Sequence, residues 1–244
     1  MHIFFCGLIF LIAVPATAQA AFDVATIRPA SEHVQFESNG TTEASHGTLK
    51  MRDVTVATCI HWAYGIQLPL IHGPATLKEI HYDITAKTDP NATEDQMHLM
   101  LRSLLTERFH LAFHRETAEL RVYTLTVAKS GIKMHPADPT APASHQNSRI
   151  GVVGHAMTLA ELTDFFSDAL GAPLADATHL SGRYDFSIDF TPYVDIERTN
   201  TDVRPDPAAV LGAALKGDLG LELVKNKAPI ETLIVDHVDP PTAN

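Results

Sequence analysis

Residues 101–127 read LRSLLTERFHLAFHRETAELRVYTLTV, and the interpretation of this stretch decides the fold. Just upstream, Thr93 and Gln96 have the spacing of a capping box. Met97, Met100, Leu101, Leu104 and Leu105 then recur at helical intervals, which predicts one buried stripe with Arg102, Ser103 and Thr106 on the wet side. After Arg108 the period changes to two. Phe109, Leu111 and Phe113 alternate with His110, Ala112 and His114, as in a half-buried strand. The polar RETAE segment, residues 115–119, is read as a turn, and Tyr123, Leu125 and Val127 alternate with Val122, Thr124 and Thr126 as the returning strand of a hairpin.

Working outward toward the N-terminus, FDVATI at 22–27 predicts a first strand ended by Pro29, followed by an aperiodic polar loop to about Gly47. Thr48 to Val54 forms a second short strand. Val56, Cys59, Ile60, Ala63 and Tyr64 then have helical spacing, with Gly65 as the stop. A connection containing Pro69 and Pro74 leads to the strand YDITA at Tyr82. Residues 135–149 are rich in Pro, Ala and Ser and are read as a linker.

Beyond that linker the same order of signals returns. Thr158 and Glu161 repeat the capping box, Leu159, Leu162, Phe166, Ala169 and Leu170 form a stripe, and Gly171 is the stop. YDFSI at Tyr184 answers YDITA at Tyr82. A helix starts at Asp206-Pro207, and Leu219, Leu221 and Leu223 stand 110 residues after Phe109, Leu111 and Phe113. Ile230 to Val238 takes the place of the second hairpin strand, and a polar insertion, TPYVDIERTNTDVRPD, accounts for the change in spacing. The expectation is an α+β protein of two similar halves, each a small mixed or antiparallel sheet with two helices packed on it, arising by tandem duplication. The halves are residues 21–134 and 150–244.

Residues 1–20 hold no Lys, Arg, Asp or Glu, and an apolar centre precedes the small residues Ala18 and Ala20. This is a signal-peptide pattern with cleavage before Ala21, so a periplasmic or secreted location is expected. Removing 20 residues from 244 leaves 224, enough for one large or two small cores. The net charge of −11 disfavours nucleic acid as a partner, because phosphate binding needs clustered Lys and Arg. No later run is apolar enough to span a bilayer. Only Cys59 follows the leader, so no internal disulfide is expected, and its place on an apolar face reads as a buried small hydrophobe.

The 14 histidines do not form a zinc pattern: His110 and His114 share a strand face, but no Cys pair or HExxH supplies further ligands. Ser130 to Lys133 fits S-x-x-K but lacks companion motifs and contains a helix-breaking glycine, so it reads as a turn. Asp236 and His237 are neighbours on a strand and point to opposite faces. No catalytic, cofactor-binding or metal-ligating set is therefore assigned. The one candidate interaction cluster is His114, Arg115 and Glu116 at the hairpin end, a compact polar group that could bind an anion or a partner strand, with a solvated, salt-bridged edge as the favoured account.

FDVATIRPA, AYGI followed by HGP, YDITAK, the block from MLRSLLTERF to TVAKSG, SGRYDF and VDHVDPPTAN together resemble, in order, a large uncharacterised family expanded in soil acidobacteria and often called the Soli family, carrying domain of unknown function 3738. The match spans nearly all of the chain after the leader. The aromatic usually found after the GP of the middle motif is replaced by Ala75 and Thr76. The resemblance implies export, and some relatives join the domain to a BlaR1-like membrane peptidase region; it implies no catalytic residue. The leading expectation is a non-enzymatic envelope module that binds a peptide, protein or envelope component, with a sheet edge as one route. The alternatives are a hydrolase using His114 and Glu116, and an envelope signalling domain related to BlaR1-like sensors.

Overall fold

A computed structural model describes residues 20–30, 39–148, 150–194 and 206–241. The expected leader, through residue 19, and most of the polar insertion before the last helix lie outside the described residues. In the first part of the chain, β1 (Val24–Pro29), β2 (Thr41–Ser45), β3 (Thr48–Thr55) and β5 (His81–Lys87) form an antiparallel sheet in the order β1-β5-β3-β2. Helix α1 (Val56–Tyr64) follows β3 directly, with Thr55 as its N-cap and Gly65 in the left-handed conformation as its stop. A tight turn at Leu68–Leu70, the two-residue β4 (Ile71–His72) and the single turn α2 (Thr76–Glu79) connect to β5. The long α3 (Glu94–Phe109) carries the reciprocal Thr93/Gln96 box that its sequence predicts. Ser103, expected on the wet face, is buried, and its hydroxyl is accommodated by donating to the Leu99 carbonyl at 3.3 Å.

The second part uses β7 (His135–Pro136), β8 (Ser144–Asn147), β9 (Gly151–Met157) and β11 (Tyr184–Asp189) in the order β7-β11-β9-β8. Helix α4 (Leu159–Leu170) follows β9, capped by Thr158 and Glu161 and stopped by Gly171; β10 (Leu174–Asp176) comes after it. Helix α5 (Pro207–Ala214) begins with Asp206 as N-cap and Pro at its first position, and relaxes into a wider π turn at Leu215–Leu219. Two expectations change here. The polar stretch before Gly47 contains β2, and the stretch read as a linker contains β7 and β8. All three are short, polar edge strands without the apolar alternation that marks a strand in sequence.

The larger correction concerns the stretch at 101–127. No turn forms at RETAE: β6 (Ala112–Val127) runs straight through it, and β12 (Leu221–His237) is equally continuous. The two pair antiparallel along almost their whole length, with Leu221 against Val127 at one end and Leu233 against Arg115 near the other. Residues 115–119 have the polarity of a turn but no Gly, Asn or Pro to set one, and polarity alone does not bend a strand. The segment is polar because it crosses the gap between two cores. At one end of the ribbon Leu111, Phe113, Leu233 and Val235 pack with Ile60 of α1 and Leu101 and Leu105 of α3. At the other end Tyr123, Leu125, Leu221 and Leu223 pack with Leu162 and Phe166 of α4 and Leu211 of α5.

Each parallel addition to the ribbon comes from one part of the chain: β4 joins β12 and β10 joins β6, giving the order β10-β6-β12-β4. The architecture is thus α+β with three four-stranded mixed or antiparallel sheets, two peripheral and one shared, where two separate sheets were expected. Among the described residues no helix is long and apolar enough to cross a membrane.

Candidate functional site

The His114, Arg115 and Glu116 group lies within the ribbon and not at a hairpin end. Strand alternation sends Arg115 to one face and its neighbours to the other. His114 Nδ1–H donates to the Asp236 carboxylate at 2.9 Å, Arg115 pairs with Glu231, and Glu116 accepts from the Thr232 hydroxyl through its backbone carbonyl at 2.9 Å. These are cross-strand contacts between β6 and β12, and the two ion pairs are about half exposed. Arg115 is thus separated from His114 and Glu116, which share the other face, and His114 and Arg115 are engaged in ion pairs with β12.

A large concavity lies elsewhere. A cleft of about 750 Å³ opens between β2 and β8, the outer strands of the two peripheral sheets, with α1 and α4 as its walls. Thr41, Thr42 and Glu43 come from β2, and Ser144, His145 and Asn147 from β8. Helix α1 contributes Thr58, His61 and Trp62; α4 contributes Glu161, Asp164, Phe165 and Asp168. The α4 set stands at i, i+3, i+4 and i+7, a single stripe on the side away from buried Leu162 and Phe166.

The two walls correspond position by position. Thr58, His61 and Trp62 are each 103 residues before Glu161, Asp164 and Phe165, and the pairings of β2 with β3 and of β8 with β9 differ by the same 103 residues on each strand. The sharp irregularity that ends the strand before each helix also recurs. Asp53 and Ala156 both adopt positive φ, and their backbone N–H groups donate to Asp83 and Asp185 respectively, at 3.0 and 2.8 Å. The paired Tyr-Asp motifs thus serve the fold. In each, the Asp accepts the bulge amide, while Tyr82 and Tyr184 pack in the two cores.

Across the cleft floor, His61 Nε2 meets Asp164 Oδ2 at 3.1 Å while its Nδ1–H donates to the Ile66 carbonyl at 2.9 Å. Burial by itself pulls the imidazolium pKa down, but the Asp164 carboxylate, the Ile66 carbonyl and Asp168 outweigh it and leave His61 raised above 6.5. Both ring nitrogens are engaged, so His61 serves as a tie and not as an available base. Nearby, Asn39 donates to Asp168 at 2.8 Å, and the Gln67 amide both donates to and accepts from the Leu174 backbone, joining the first part of the chain to β10. The His145 ring rests 4.7 Å from Phe165. Cys59 is fully buried on the core face of α1, where burial pushes its thiol up to about 12, so it is an unreactive hydrophobe.

Sequence reasoning passed over this cleft. The available signal was Phe165, a large aromatic flanked by carboxylates on the polar side of an otherwise regular amphipathic helix. Among the described residues no group of three or more His, Cys, Asp or Glu converges as a metal site.

The model of the family described as Protein of unknown function (DUF3738) matches residues 57–238, and the chain belongs to that family. The match begins within α1 and ends just past β12, so it spans both cleft walls and the shared ribbon. No curated protein and no solved structure matches the chain.

Proposed function

We propose that this family member is an exported, non-catalytic binding module of the cell envelope, periplasmic or secreted, which captures an extended peptide or protein segment in the cleft between β2 and β8. The cleft carries the reading. Among the described residues each strand is paired on one side only, and an edge strand directs backbone N–H and C=O groups outward at alternate residues, where an added strand can bond to them. Trp62 and Phe165 offer side-chain surface beside those edges. The engagement of both His61 nitrogens supports binding over general-base chemistry. The uncharged apolar leader at residues 1–20, and the resemblance to the exported soil acidobacterial family, support export.

We also infer that the module arose by tandem duplication. The support is the common 103-residue spacing of strands, bulge and helix, together with β4 and β10 adding in parallel to opposite ends of the ribbon. In that reading each half supplies one cleft wall and one ribbon strand, and the HRE group belongs to the first half's strand alone.

The test is retention of a mixed pool of blocked hexapeptides by the purified chain, read by mass spectrometry. Intact peptides held at one equivalent are expected. Cleavage products would overturn the non-catalytic part, and absence of any retained peptide would overturn the binding part.

A further inference from the structure

Building on the peptide-binding reading, we infer that the segment taken by the cleft is basic: an extended strand that directs a Lys or Arg side chain onto the α4 wall, between the carboxylates and the aromatic rings. Among the described residues, the cavity lining contains Glu43, Glu161, Asp164 and Asp168 and neither Lys nor Arg. A cation entering it meets carboxylate oxygens and the aromatic side chains of Trp62 and Phe165, two kinds of group that both favour a positive charge. The net charge of −11 adds a long-range field that favours the approach of a basic partner.

The corresponding wall shows that this charge is not demanded by folding. Helix α1 also has a threonine N-cap, a left-handed glycine stop and a buried apolar face, yet its cleft stripe is Thr58, His61 and Trp62 with Gly65 at the position of Asp168. Glu161 has a structural reason to be acidic, because its carboxylate accepts from the backbone and hydroxyl of Thr158 at 2.7 and 2.8 Å and pairs with Arg183 at 3.5 Å, which leaves Asp164 and Asp168 as the carboxylates that carry the preference. Asp164 and Asp168 have no such role in the helix. They bind across the cleft, to His61 and Asn39, so they face the space a ligand would enter. Their spacing does not converge on a point, as a bare metal ion would require. It suits a cation that arrives on a long side chain whose backbone is held at the strand edges.

Trp62 is the only tryptophan in the chain and lines the cleft, so its emission reports occupancy. Three blocked hexapeptides of alternating Thr and Val, identical except for Lys, Gln or Glu at one central position, are titrated against the full chain at low and high salt, with spermidine as a separate arm. The Lys peptide is expected to bind about ten-fold tighter than the Gln peptide, with the Glu peptide weakest and the spread narrowing in high salt. Asp164→Asn combined with Asp168→Asn should erase the Lys preference, and Asn retains an acceptor oxygen for His61. Asp95→Asn, on exposed α3, should leave the preference intact. Equal affinity of the Lys and Gln peptides would overturn the charge inference while leaving edge binding standing; failure of all three to bind would overturn both. Spermidine binding as tightly as the Lys peptide would overturn the peptide as partner, and loss of preference in Asp95→Asn would assign the effect to overall charge.

Discussion

Helices α1 and α4 begin and end alike and differ on the side that faces the cleft. Each starts at a threonine whose hydroxyl accepts the N3 amide, each stops at a left-handed glycine, and each buries an apolar face. On the cleft side α1 has one histidine and one tryptophan, where α4 has three carboxylates and a phenylalanine. The difference teaches where the sequence is constrained by folding and where it is not. Caps and core positions answer to backbone satisfaction and burial, so they agree. Apart from Glu161, which closes the α4 capping box, the cleft face answers to neither, and there the two walls differ.

The most severe way to break this comparison is to remove its common part. Phe109→Ala and Phe166→Ala each delete a fully buried ring from one of the two cores and should cost about 3–5 kcal/mol in denaturant-monitored stability. Similar losses at both sites are expected, because both cores are anchored on the same ribbon. A loss under about 1 kcal/mol at either would mean that its core is not held as described.

At the caps, Thr158→Ala should cost about 1 kcal/mol, since the Thr158/Glu161 box is reciprocal. Thr55→Ala should cost a comparable amount despite lacking the reciprocal arm, because Thr55 is buried and also bonds the Thr58 hydroxyl at 3.0 Å. Thermal melts of the two variants side by side would show whether the helices share a capping requirement.

The tie between the walls should be pH-dependent. His61 is raised in the folded protein, so its stabilising contribution is fully present below about pH 6.5 and is lost as pH rises through the folded value. The melting temperature should therefore show a component that declines through neutral pH and disappears in His61→Gln. A wild-type and variant profile that stay parallel from pH 5 to pH 9 would refute the tie.

The smallest effect is expected at the ribbon surface. Arg115→Ala removes an ion pair with Glu231 in which both side chains are about half exposed, and should change stability by roughly 0.2–1 kcal/mol. It should leave peptide retention unaltered, which separates the ribbon from the cleft.

Much of the fold was legible where local rules act. The boxes at Thr93 and Thr158, the stops at Gly65 and Gly171 and the Asp206-Pro207 start follow from backbone groups that neighbouring residues must satisfy. The strands at Tyr82 and Tyr184 alternate because one face of each is buried. Illegible parts depended on distant partners. A polar RETAE means a turn if the chain returns on itself and a bridge if a second strand arrives from 110 residues away; its lack of Gly, Asn or Pro speaks against the turn, but only the distant strand supplies the bridge. The edge strands β2, β7 and β8 escaped notice because they bury little and so carry little pattern. His61 and Asp164 are each unremarkable on their own helices and gain meaning only by meeting.

By itself, then, the sequence determined the α+β class, the helices with their caps, and the recurrence of signals across residue 135, because hydrogen-bond satisfaction and apolar periodicity are local. The tertiary structure alone decided that residues 101–127 give a helix and one unbroken strand, that two such strands unite two cores, and that a cleft forms between the outer edges of two sheets. Those outcomes rest on contacts between residues 94 or more positions apart, as for Val127 and Leu221 in the ribbon or His61 and Asp164 in the cleft, whose side chains show no sign of one another until the chain has folded.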